Sequence, residues 1–281
     1  MPPLGKEVNN LKTFTVLPKS DKLLNQSGDK NTILTDNKLL ICSQKMKSKS
    51  EPTDYRMTIV WSSVFKISIL HIIGFYGAYC AGTQARYQTV IWAYFVAMSS
   101  GFGVLSGAHR LWSHKCYKAR TPLRVFLMIL ETLALQNDIY EWSRDHRVHH
   151  KYSETDADPH NSKRGFFFSH MGWLMVRKHP MVIEKGRQID MSDIWADPVV
   201  RFQRKYYFPL VVIIWGILPT LIPCYFWSET VVISLAMNMT RYCMSLHQAW
   251  LVNSAAHMSG LRVRIISIQF LFSFKKMFFF V

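Results

Sequence analysis

The amino-acid sequence predicts an all-α, polytopic membrane protein with four transmembrane helices and a histidine-rich domain on the cytosolic side. Three observations predict it. Hydrophobic residues make up 49% of the 281 residues while the formal net charge is +16, so charged and apolar residues must be segregated along the chain. The apolar runs carry little or no charge and are about 20 residues long, enough for a helix to cross roughly 30 Å of hydrocarbon. Apart from His71 and His247, the histidines lie outside these runs, most of them in the long stretch between the second and third.

Residues 1–56 are polar, Lys-rich and lack a continuous apolar core. They read as a disordered cytosolic arm without a cleavable signal peptide. The first span, about 57–80 (Met57 to Cys80), holds one lysine; the second, about 89–108 (Thr89 to Ala108), and the third, about 206–226 (Tyr206 to Phe226), hold no charge. The fourth, about 230–252 (Thr230 to Val252), contains Arg241. An arginine at mid-helix costs about 2.5–3.5 kcal/mol on insertion, so Arg241 is expected to face protein or water. The shorter apolar stretch Pro122–Gln136 contains Arg124 and Glu131. If it crossed the bilayer, His114 and His146 would be separated, so it is read as an interfacial or re-entrant helix.

Lys and Arg concentrate in short cytoplasmic loops. The Gly82–Gln88 loop has only Arg86 and the Trp227–Glu229 turn has none, whereas His109–Lys205 is dense in both. Both termini and the long loop are therefore placed in the cytosol, and the basic surplus is read as a membrane signal, with no nucleic-acid partner expected. Five cysteines (Cys42, Cys80, Cys116, Cys224, Cys243) show no CxxC spacing. That argues against a disulfide framework or a zinc ribbon.

The most informative cluster is His146, His149 and His150 in Trp142-Ser-Arg-Asp-His-Arg-Val-His-His150. Positions i, i+3 and i+4 share one face of a helix, so three imidazoles are expected to form a metal face. His109 and His114 form a looser pair directly after the second span, and His257 follows in Asn253-Ser-Ala-Ala-His257. Imidazole suits zinc, copper, iron and nickel alike, so the ligand type leaves the metal open. His160 and His179 flank prolines and read as solvated or capping residues. His71 reads as a packed or water-facing polar residue, and His247 does not share the face of His257.

Three blocks occur in order: His109-Arg-Leu-Trp-Ser-His114, Gln136-Asn-Asp-Ile-Tyr-Glu-Trp-Ser-Arg-Asp-His-Arg-Val-His-His-Lys151, and Asp158-Pro-His-Asn-Ser-Lys-Arg-Gly-Phe-Phe-Phe-Ser-His-Met-Gly-Trp173. From about Trp61 to Gly260 the chain resembles the membrane fatty acyl-CoA desaturases of animals, of the stearoyl-CoA desaturase type, and looks similar to insect members. The resemblance implies an oxidoreductase of the endoplasmic reticulum membrane, active in fatty acid biosynthesis. Such an enzyme uses two iron ions, molecular oxygen, and electrons from cytochrome b5 and its reductase to place a cis double bond in a saturated fatty acyl-CoA. Carried over by position, the metal ligands are His109, His114, His146, His149, His150 and His257, with Asn253 acting through water. Asn137, Arg144, Asp145, Arg177, Lys178 and Trp250 would hold the thioester and CoA. An unactivated methylene has no acidic proton, so an oxygen-activating metal and not an acid–base pair must remove its hydrogen. Glu141, Asp145, Asp156 and Asp158 are candidates to fix imidazole tautomers.

The chain departs from the family pattern after Gly260. Residues 57–260 read as the desaturase-like membrane domain, and 261–281 as an atypical hydrophobic tail in place of the family's third histidine box (HNxHH) and cap. Three further ligands are thus absent. Near Trp61-Ser62-Ser63 the family often has a substrate-touching Asn. Three readings stay open: a desaturase in truncated form, a related membrane di-iron hydroxylase or alkane oxidase, and a non-catalytic chain that binds acyl-CoA or partners a full-length desaturase.

Overall fold

The computed structural model describes residues 55–257. The expected arm, apart from Tyr55 and Arg56, and the expected tail lie outside the described residues. Contacts divide the chain after Asp54, and only the unit that starts at Tyr55 is described below. Among the described residues the fold is helical apart from an isolated antiparallel bridge between Ile59 and Val176.

Three helices are long and apolar enough to cross a membrane: α1 (Trp61–Thr83), α2 (Tyr87–Ser113) and the later Tyr207–Trp227. The expected spans shift by a few residues. The larger difference is at α2, which does not stop at Ala108. Its last part, Gly103–Ser113, continues with wide i→i+5 turns, so His109 belongs to the helix and does not follow it. Then come α3 (Thr121–Ala134), α4 (Ile139–Lys151), α5 (Phe166–His170), α6 (Pro180–Arg187), α7 (Ser192–Ala196), α8 (Pro198–Lys205), α9 (Tyr207–Trp227) and α10 (Val231–Leu251). The fourth expected span forms α10 as one continuous helix, but its polar residues keep it out of the group apolar enough to cross by composition.

Those polar residues are satisfied inside the protein. Arg241, 2% exposed, donates to the Asn238 side chain at 2.8 Å and to the carbonyls of Leu133 and Trp215 at 2.9 and 3.2 Å. It faces protein, and it ties α10 to the end of α3. There Leu135 adopts a left-handed conformation (φ 49°), the usual way a helix stops. Helix α3 is packed along the wide part of α2. A Cβ on Gly103 would collide with the Leu130–Glu131 backbone, so only glycine permits the approach. Glu131 is fully buried and accepts from the Gln203 amide of α8. Burial pushes its carboxyl up to about 8, against which the Gln203 hydrogen bond works only in part. The acid is therefore neutral at pH 7, which is how a carboxyl is accommodated in an apolar helix.

At the opposite end from the histidines, Glu229 staples two turns. It accepts from Arg86 N at 2.9 Å, Thr89 Oγ1 at 2.7 Å and Thr230 N at 3.0 Å. This fixes α2, α9 and α10 where the chain reverses.

Candidate metal centre

Helix α4 starts at Asp138, whose side chain accepts from Glu141 N at 3.0 Å, an N-cap that supplies a partner to an otherwise orphaned backbone donor. Arg204 grips the same carboxylate at 3.0 and 3.1 Å. In the middle of the helix, Arg147 makes a bidentate pair with Asp193 of α7 (2.9 and 2.7 Å) and also donates to the carbonyls of Trp112 and Ser113 at 3.1 and 3.3 Å. Those two residues directly precede His114. One guanidinium therefore ties the histidine helix to the end of α2.

The wide turns of α2 explain the HxxxxH spacing. Five residues apart, His109 and His114 would lie on different faces of an α-helix. With i→i+5 bonding, shown by His114 N donating to His109 O at 3.0 Å, they meet edge to face, with ring centres 4.6 Å apart. Opposite them, His146 Nε2 lies 2.9 Å from His114 Nε2 and 3.0 Å from His150 Nε2. The His109 ring is 4.7 Å from that of His146. Ligand atoms of all four lie within 4.8 Å of one another.

His149 leaves this group, which corrects the expectation that the HxxHH imidazoles form one metal face. It is buried, and its Nδ1 meets Asp158 Oδ1 at 2.8 Å. Its ring lies 5.0 Å from that of His257 and 4.7 Å from that of His160. The reason is angular: i and i+4 (His146, His150) nearly eclipse, while i+3 is displaced enough to reach the loop that carries Asp158. Burial would raise the Asp158 carboxyl. The His149 hydrogen bond and charge, with the Glu154 amide, overcome this and hold it below the usual range. A carboxylate on Nδ1 fixes the proton there and leaves Nε2 free for a ligand. Among the four acidic candidates Asp158 alone pairs with an imidazole in this way. Glu141 binds Arg144 and Arg204, Asp145 binds Arg144 and Lys178, and Asp156 binds Arg164.

Burial, followed by the Arg147 charge, lowers His114; burial and the neighbouring imidazoles lower His146 and His150. The cluster is neutral at pH 7, the form that binds a metal. The facing nitrogens test the fit. A neutral imidazole nitrogen carries either one N–H or one lone pair, so His146 Nε2, at 2.9 and 3.0 Å from two other Nε2 atoms, cannot make a full hydrogen bond to both. His109 Nδ1 is buried without a hydrogen-bond partner, at a cost of about 1–3 kcal/mol. A cation relieves the convergence. Four imidazoles fit an iron; beside them His149, Asp158 and His160 have ligand atoms within 4.8 Å of one another, and the His257 ring lies 5.0 Å from that of His149. Asn253 is half-buried on the i→i+5 turn Val252–Ala256 that leads to His257.

The expected CoA-binding residues separate. Arg144 donates to Asp145 at 2.9 and 3.1 Å, and Lys178 reaches the same carboxylate. Arg177 is next to Lys178, with its backbone N–H bonded to Thr58 O. Asn137 occupies the tight turn before α4 with φ 73°. Trp250 does not join them: it is 3% exposed and packs against His71, His170 and His247. His160 is mostly buried, against the solvated reading, because its ring is wedged between His149 and Trp173. Its Nδ1 is 3.5 Å from Asp158, too far for a hydrogen bond, and burial followed by the His149 charge pushes it down to about 3. His179 does cap α6, accepting from Met181 N at 3.2 Å. The Arg147–Asp193 clamp had no signal in the sequence, since nothing in the spacing singles out Asp193.

The family model described as fatty acid desaturase matches residues 85–269. The chain is 55% identical over 217 residues to the Delta(9)-fatty-acid desaturase fat-6 of Caenorhabditis elegans, covering 77% of this chain and 64% of that protein. It is 53% identical to the acyl-CoA Delta-9 desaturase of Acheta domesticus, covering 80% and 62%, and 55% identical to stearoyl-CoA desaturase 5 of Homo sapiens, covering 74% and 63%. It spans a little under two thirds of the length of these relatives. With its histidine blocks inside the matched region, the chain belongs to the fatty acid desaturase family.

Proposed function

We propose that this chain is an acyl-CoA desaturase of the endoplasmic reticulum membrane. Its substrate would be a saturated fatty acyl-CoA, and its electrons would come from cytochrome b5 and its reductase. The observation that carries this is the convergence of His109, His114, His146 and His150 on one point, with Arg144, Asp145 and Lys178 on and beside the same helix. Those four imidazoles would hold one iron; His149 and His257, with Asn253 through water, would hold the other. Bound iron would supply the oxygen activation that hydrogen removal from an unactivated methylene requires.

The protein's own part is positioning. Asp158 keeps the His149 proton on Nδ1, and Arg147 holds α4 against α2. Lys178 and Arg144, each sharing the Asp145 carboxylate, would offer charge-assisted donors to CoA phosphates, and the family resemblance adds Arg177 and Asn137 to that role. Trp250, buried among imidazoles, would act on the substrate only by shaping the wall behind them.

Four spans with both termini in the cytosol would keep the histidines in one compartment. Acceptor sites for N-glycosylation engineered into the Gly82–Gln88 loop are expected to be modified, and sites beside Lys163 are not. Modification at Lys163 would refute this orientation.

A second reading has its own observation. The sequence holds no histidine after His257, so a chain that binds acyl-CoA or a partner desaturase without catalysing is also consistent. Expression in yeast lacking its own desaturase separates the two. The chain whose residues 261–281 are replaced by an HNxHH-bearing segment is expected to restore growth without added unsaturated fatty acid, and the 281-residue chain is not. Failure of the replaced chain to support growth, although inserted and iron-loaded, would overturn the desaturase reading.

A further inference from the structure

A separate group of imidazoles lies where α1 and α10 cross. The helices approach closely: a Cβ on Gly77 would collide with Thr240 and the Ala236 carbonyl, and Gly74 packs on Cys243. His71 of α1 faces Cys243 and His247, which are one turn apart on α10. Their ligand atoms lie within 4.8 Å of one another, and all three residues are half-buried.

Proton accounting leaves one contact in this group unmatched when its imidazoles are neutral. His71 Nδ1 is 2.7 Å from the Ile67 carbonyl, which can only accept, so a neutral His71 presents a lone pair at Nε2. At the other end Ser254 donates its hydroxyl to Trp250 O at 2.8 Å and so accepts from His170 Nδ1 at 2.9 Å. That leaves a lone pair on His170 Nε2. His247 stands between them, with Nδ1 3.0 Å from His170 Nε2 and Nε2 3.1 Å from His71 Nε2. A neutral His247 has one proton for two lone pairs. One contact is therefore lone pair against lone pair unless a cation fills it.

The position of Cys243 shows which contact that is. We propose that His71, Cys243 and His247 form a second metal site, independent of the four-imidazole centre, for a cation that takes thiolate together with imidazole: zinc or copper(I). Nitrogen ligands at about 2.0–2.1 Å and sulfur at about 2.3 Å from such an ion need facing nitrogens close to the observed 3.1 Å. The thiol proton passes to solvent as the metal–sulfur bond forms. His247 Nδ1–H then donates to His170, and every group in the chain from Ile67 to Trp250 has a partner. The Ile67 carbonyl and His170 orient the two imidazoles from behind, as outer partners do at metal sites. The bound ion would cross-link α1 to α10 and, through His170 and Ser254, brace the turn that carries Asn253.

The test uses the full chain in detergent, stripped with chelator and titrated with cobalt(II), whose bond to thiolate gives a near-ultraviolet charge-transfer band. Zinc and copper(I) are then compared as competitors for the cobalt. The band is expected in the unaltered chain, in Cys116→Ser and in His146→Ala, and is lost in Cys243→Ser, Cys243→Ala and His71→Ala. In parallel, zinc is expected to slow alkylation of Cys243 by at least tenfold, and chelator to restore it. A band that survives both Cys243 variants, or zinc without effect on Cys243 alkylation, would overturn the proposal and leave an imidazolium at His247 as the occupant. Because His146→Ala is scored separately, failure here is distinguishable from failure of the desaturase reading.

Discussion

Substituting His146 by alanine is expected to weaken iron binding at the four-imidazole position by more than about 100-fold, since even the outer partners of metal ligands are worth about 10–100-fold. His146 is the hub. Its Nε2 faces both His114 and His150, and its ring packs on His109 and Trp142. His114 also meets the other three rings, but in this group only His146 Nε2 lies within 3.0 Å of two other ring nitrogens. His179→Ala serves as control, because that ring caps α6 and pairs with Tyr55; it should leave iron content unchanged. Metal analysis of the purified variants checks this, and equal losses in the two would remove His146 from the site.

Arg147→Ala is expected to produce the second-largest effect without touching a ligand. The side chain is 18% exposed and donates five hydrogen bonds to oxygen, two of them to Asp193 and the others to the carbonyls of Trp112, Ser113 and Asp190. Hydrogen bonds to charged groups are worth about 1.5–3 kcal/mol, and part of that loss falls on the alignment of His114 against α4. Iron should be held about 10-fold or more weakly, with a lower Tm. The pH dependence has a definite sign. The Arg147 and Lys115 hydrogen bonds hold the Asp193 carboxyl well below the usual range, against a smaller opposing effect of burial. Its contribution is therefore complete above the unfolded value of about 3.9 and fades only in stronger acid. The defect of Arg147→Ala should be constant between pH 6 and 8. A defect that appears only on acidification would mean that a histidine, and not this clamp, had been disturbed.

Three of the four expected spans match helices apolar enough to cross a membrane, because segregated apolar runs need only composition to be recognised. Their ends were not legible in that way. The prolongation of α2 through Gly103–Ser113 depends on i→i+5 turns and on the approach of α3 at Gly103, neither of which periodicity reveals. The histidine residues could be picked out by eye, but their partition could not. Sharing a helical face said that His146, His149 and His150 were neighbours; the Asp158 loop decided that His149 would turn away. The resemblance offered Trp250 for the thioester and CoA, and the fold packs its ring against His71, His170 and His247, which no spacing in the sequence indicates. Arg241, costly on an insertion scale, was correctly expected to face protein or water. Only the fold could supply the carbonyls that satisfy it.

On the proposed function, His109, His114, His146 and His150 would hold iron more tightly than the position at His149 and His257, where fewer imidazoles converge among the described residues. Iron stoichiometry of the purified 281-residue chain after dialysis against a moderate chelator tests it most directly. One iron retained per chain, lost in His146→Ala and retained in His257→Ala, is the expected result. No iron retained, or two held with equal strength, would contradict it.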